Sequence, residues 1–138
     1  MDGTNDRSFE GLHCTVLLQR PVPGVVVLVV DGERIAELGD APVRTLELDI
    51  ARGPKLQLFF DGRGVRERSV ELSTHWTRWL TQHKHGLRQI SILTASPCVH
   101  LNVGTARRLA DLGELLRVYT QPASFDAAVL TAIAEADG

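Results

Sequence analysis

With 138 residues the chain fits one domain, long enough to bury a real core without disulfides or metals. Hydrophobic residues at 43% and charged residues at 23% are ordinary globular values and exclude a low-complexity or disordered chain. The formal net charge of −2 and a pI near 6.2 argue against a general nucleic-acid binder, which needs a basic surface to displace counterions, and against a polybasic membrane anchor.

The first residues, Met1 to Arg7, lack the basic-then-apolar order of a signal peptide, and residues 1–8 are expected to be a loose polar end ahead of a single domain over 9–138. Leu12 to Gln19 is short and apolar, with Pro21, Pro23 and Gly24 behind it, so it reads as a strand. Val25 to Asp31 is a β-branched run ended by Asp31-Gly32; its stiff side chains favour a strand, and its two apolar faces a central one. Val25 to Val30 is also the longest purely apolar run, far short of the roughly 20 residues that span a bilayer, so no membrane insertion is expected. The two strands are close enough to form an antiparallel hairpin. Its outer strand, Leu12 to Gln19, would be a sheet edge that homodimerisation could cover.

Residues Ala41 to Arg52 alternate like a strand at Leu46, Leu48 and Ile50, yet Val43, Leu46, Glu47 and Ile50 fit a helical face. A capping Asp40, Pro42 in the first turn and Gly53 after the end decide for a helix. Lys55 to Asp61 reads as a second central strand running into a loop at Gly62-Arg63-Gly64. Ser69 can cap a helix reaching about His85, with Leu72, Trp76, Trp79, Leu80, His83 and Leu87 on its apolar face. Gln89 to Thr94 is the next strand. Ser96-Pro97 opens a helix with Val99, Val103, Ala106 and Ala110 as its buried stripe and Gly113 at its end. Leu115 to Tyr119 is a short strand, and Pro122 opens a last helix with Phe125, Val129, Ala132 and Ile133 inward. The order β-β-α-β-α-β-α-β-α predicts an α/β fold: a mixed, mainly parallel sheet with an N-terminal antiparallel hairpin and four helices.

Ligands of parallel α/β sheets gather beyond the carboxyl ends of the strands. Two loops leave such ends here, 61–69 and 94–97, and both enter helix N-termini with free amides. Asp61, Arg63, Arg66, Arg68, Ser69 and Ser96 are therefore the candidate residues of a ligand or partner loop, and an anion could sit among the arginines. Gly62-x-Gly64 is neither a dinucleotide fingerprint nor a Walker A loop, because Glu67 stands at the third glycine's place and no G-K-[ST] follows.

His75, Arg78, Gln82 and His85 share one solvated helix face, and His83 points to the apolar side as a core-edge histidine with one satisfied nitrogen. The five histidines and two cysteines form no metal-ligand spacing, and no G-x-S-x-G is present, so no cofactor, metal or catalytic residue is assigned; a small enzyme whose catalytic groups come together from distant residues stands as a third reading. Cys14 and Cys98 lie in apolar segments and read as buried reduced thiols, which together with the charge points to the cytoplasm.

Four stretches carry a family resemblance. Gly24-Val25-Val26-Val27-Leu28-Val29-Val30-Asp31-Gly32 resembles the early strand and turn of the STAS-like fold. Leu56-Gln57-Leu58-Phe59-Phe60-Asp61-Gly62-Arg63-Gly64-Val65 resembles its strand ending in Asp and a short loop. Arg88-Gln89-Ile90-Ser91-Ile92-Leu93 resembles the strand after the long helix. Val118 to Ala128, with Phe125-Asp126-Ala127-Ala128, resembles the closing strand and F-x-x-A helix. Over roughly residues 12–135 the chain is similar to the small bacterial SpoIIAA-like members of the STAS/SEC14 group. The resemblance implies a non-enzymatic regulatory or binding module that engages a protein partner or small anionic ligand, or, as in SEC14-type relatives, an apolar or lipid-like ligand. In partner-switching relatives a serine or threonine of a D-S-S-G-like segment is phosphorylated. Ser69 falls near that position, in Glu67-Arg68-Ser69-Val70-Glu71, which lacks the D-S-S-G.

Overall fold

A single six-stranded sheet organises the chain, its strands side by side in the order in which they occur in the sequence. The computed structural model describes residues 6–32, 38, 41–53, 55–65, 78–94 and 112–137. The strands are β1 (Arg7–Glu10), β2 (Cys14–Val22), β3 (Val25–Gly32), β4 (Leu56–Val65), β5 (Leu87–Thr94) and β6 (Leu116–Tyr119). β2 runs antiparallel to both of its neighbours, β1 and β3, whereas β3, β4, β5 and β6 are parallel. The described residues include the α-helices α1 (Ala41–Arg52), α2 over residues 78–82 and α3 (Pro122–Asp137), and short 3-10 turns at Lys84–Gly86 and Gly113–Leu115.

When parallel strands are added in one direction, crossovers of one hand all fall on one face of the sheet. The packing agrees. Val43 and Leu46 of α1, Trp79 and Leu80 of α2, and Leu112 are buried against Val16, Leu18, Leu28, Leu58 and Ile90. α3 comes after the last strand and covers the opposite face, where Phe125 and Ala132 meet Val25, Val27, Phe59 and Leu93. Period-two alternation along β3 supplies both cores: Val26, Leu28 and Val30 face one way, Val25 and Val27 the other, all of them buried. The central position expected for this apolar run is the one observed.

α1 is a helix, as capping and periodicity predict, with Pro42, Val43, Thr45 and Leu46 buried and Leu48 exposed. It is joined to α2 by the Trp79 indole Nε1, which donates to Glu47 Oε1 at 3.0 Å. His83 stacks on Trp79 with ring centroids 4.5 Å apart, and its Nδ1 lies 3.0 Å from the Trp79 carbonyl oxygen, the satisfied core-edge histidine expected. Arg78 and Gln82 are exposed, as the solvated face requires, whereas the α-helix stops at residue 82: His85, also exposed, lies in the 3-10 turn Lys84–Gly86, and Leu87 already opens β5 rather than extending the helix's apolar face. The helix expected from Ser96 falls on residues outside those described; Leu112, the first described residue after them, is helical, and Gly113 takes φ +54°, the left-handed conformation that commonly closes a helix.

Four further expectations need correction. Arg7 and Ser8 are not a loose end but part of β1, a strand that raises the count from five to six. β1 pairs along β2, from Arg7↔Leu18 to Glu10↔Thr15, so Leu12 to Gln19 is not the sheet edge. β2 continues past Gln19 to Val22 because the pairing slips between Gln19 and Val22, and a proline fits where no ladder hydrogen bond is donated. Pro23 and Gly24, the latter at φ +87°, then make the turn into β3. Finally, Gly62-Arg63-Gly64 is strand, not loop: β4 runs to Val65 with an irregularity in its pairing to β3.

Candidate functional site

The irregularity at the end of β4 is a bulge. Val29 pairs with Asp61 and Asp31 with Gly64, so three steps on β4 oppose two on β3. Such an insertion leaves one residue unpaired and re-aims the side chains around it. Asp61 sits just before it, on the face towards α3, and is only 8% exposed. Its Oδ1 accepts from the Arg63 backbone N–H at 3.2 Å, which satisfies an amide freed by the bulge.

The Arg63 side chain bends back over the same carboxylate, with Nε 3.0 Å from Oδ1 and 3.1 Å from Oδ2 of Asp61. The other end of the guanidinium reaches Asp126 of α3: NH1 lies 3.4 Å from Oδ2, and NH2 bonds Oδ1. One planar cation thus bridges a carboxylate on the sheet and another on the last helix, the fork geometry to which arginine is suited. Asp126 first, then Asp61, holds the guanidinium well above its ordinary pKa. A raised pKa contributes stability below the ordinary arginine range and loses it only as pH climbs above that range, so the bridge keeps its cation throughout the physiological window.

Beside this bridge an open groove of about 540 Å³ separates α3 from the β2–β3 hairpin. Val27 and Val29 of β3 and Phe125, Val129 and Ile133 of α3 give it an apolar lining, and Asp6, Asp61, Asp126 and Arg20 supply charge. Arg20 is held from the other direction by Asp49 of α1, through NH2 at 2.9 Å from Oδ2 and Nε at 3.0 Å from the same oxygen. A second concavity of about 360 Å³ lies at the hairpin end, between Pro21 to Val26 and the end of α1.

Of the residues singled out from the sequence, Asp61 and Arg63 are brought together, and Arg63 is bonded to two carboxylates rather than turned to an incoming anion. Arg66, Arg68, Ser69 and Ser96 lie outside the described residues, as do His75, Trp76 and Cys98. The residue that sequence reasoning missed is Asp126, 63 positions from Arg63 and carrying no local signal of the contact. Compared with known proteins, the chain matches no family model and has no significant sequence match among curated proteins. Among the described residues no three His, Cys, Asp or Glu side chains stand where they could hold a metal ion, and no helix is long and apolar enough to cross a membrane. Cys14 is buried and not in a disulfide.

Proposed function

We propose that this chain is a non-enzymatic binding module of the STAS-like, SpoIIAA-like kind, and that it recognises a protein partner at the carboxyl end of its parallel strands. The observation that carries the reading is the Asp61–Arg63–Asp126 bridge. It stands where α/β sheets present their ligands, and it fixes the start of α3 beside an open groove. Its charges are already matched to one another, and its cation does not titrate in the physiological range. Such a cluster suits a rigid recognition surface better than proton transfer. Two carboxylates around one guanidinium also leave the bridge net negative, which favours a protein partner over a small anionic ligand at Arg63.

A second reading is favoured by the groove's apolar lining of Val27, Val29, Phe125, Val129 and Ile133: an apolar or lipid-like ligand. Native mass spectrometry of the protein, purified gently from its own source, separates the two. A stoichiometric protein complex is expected, and an added phosphate mapping to Ser69 would make it a switched one. A co-purifying lipid or other small molecule, with no protein bound, would overturn the partner reading in favour of the second.

A further inference from the structure

We infer that the groove between α3 and the β2–β3 hairpin seats a short amphipathic, basic segment of the partner protein. The inference rests on the partner-binding reading above and specifies what the partner must present.

Shape and apolarity come first. The groove is open to solvent, whereas sites built for small molecules enclose most of the ligand surface. Val27 and Val29 form the floor on the sheet side, and Phe125, Val129 and Ile133 the wall on the helix side. Leu130, 67% exposed, stands among the same lining residues. Apolar side chains laid into this groove would take Leu130 and its neighbours out of water, the main favourable contribution in such contacts.

Charge then selects among apolar occupants. Among the described residues, Asp6, Asp61 and Asp126 line the groove together with a single basic residue, Arg20. Asp49 already pairs with Arg20 from α1, and Arg63 bridges two carboxylates with a single positive charge. Among the described residues the surplus is negative. Lysine or arginine beside apolar anchors complements that surplus, whereas phosphates, nucleic acids and anionic headgroups are repelled by it.

The test pans a random phage-displayed peptide library against the immobilised full chain. Synthetic versions of the enriched peptides are then titrated into wild type, Leu130→Glu and Asp6→Lys. Enriched sequences should combine Lys or Arg with Leu, Ile or Phe. Leu130→Glu should weaken them about tenfold or more. Asp6→Lys should weaken them less and flatten the salt dependence of binding. Both positions are exposed, so unchanged thermal melting shows that the variants fold. Failure to enrich, enrichment of acidic peptides, or affinities that neither variant alters would overturn the inference. If a natural partner co-purifies and binds Leu130→Glu as tightly as wild type, the groove assignment falls while the module reading stands. If no protein partner exists, both fall.

Discussion

The backbone at Gly64 passes so close to Asp31 that a Cβ on Gly64 would lie 2.5 Å from Asp31 Oδ1 and 3.3 Å from Asp31 Cα. This pairing is the first after the bulge, and it brings β4 tight against the end of β3. Gly64→Ala should therefore cost about 1–3 kcal/mol as overpacking. The nearest atom is the end of an exposed side chain, so adding Asp31→Ala should restore most of the loss in urea denaturation. A double variant as unstable as the single one would place the strain in the backbone instead.

Arg63 and its two carboxylates make an ordered pair of expectations. Arg63→Met keeps the apolar stem but leaves Asp61, 8% exposed, without its guanidinium, and should cost about 1–3 kcal/mol. Asp126→Asn retains an acceptor at a side chain that is 55% exposed, and should cost less than about 1 kcal/mol. Chemical denaturation of the two variants checks the order, and the reverse order would show that the bridge is anchored from the helix rather than from the sheet.

Along α3 the inward and outward positions should differ sharply. Phe125 is 1% exposed and meets Phe59 and Tyr119 edge-on, with centroids 5.9 and 5.8 Å apart. Phe125→Ala should cost about 3–5 kcal/mol. Leu130→Ala on the same helix should fall within about 0.5 kcal/mol of wild type. Thermal melts of both variants test the packing, and a small effect at Phe125 would contradict the position of α3 on the sheet.

Removing residues 1–10 should expose the outer edge of β2, which β1 now pairs, and strip Phe9 from the core it partly joins. Unpaired edges recruit other strands. The truncated chain should self-associate at concentrations where the full chain does not, as sedimentation velocity would register. Equal behaviour of the two chains would mean that β1 does not protect the edge.

Much of this fold was legible because burial writes a pattern. The valine run of β3 is apolar on both faces because α1 and α2 lie on one and α3 on the other. Proline and capping residues marked α1, and Pro122 and the Phe125 stripe marked α3. β1 escaped because Arg-Ser-Phe-Glu is a short edge strand with three of its four residues exposed, so no alternation accumulates. The end of β4 escaped for the opposite reason: Gly62 and Gly64 look like a turn, but at Gly64 the missing side chain makes room for Asp31 within a strand. Of the site, Asp61 and Arg63 were legible from their place at a strand end. Asp126 was not, because a contact between a bulge and a distant helix is a tertiary fact with no local spacing to betray it.

The sequential order of the strands has a consequence for biosynthesis. A chain leaving the ribosome can add each strand beside the one made just before it, so the sheet can grow outward from the hairpin without waiting for a distant partner. The face carrying Val25, Val27, Phe59 and Leu93 is different. Its described cover is α3, which is among the last parts of these 138 residues to be synthesised. A nascent chain stalled before Pro122 would carry a nearly complete sheet with one greasy side in water, the form in which this protein should be most dependent on chaperones.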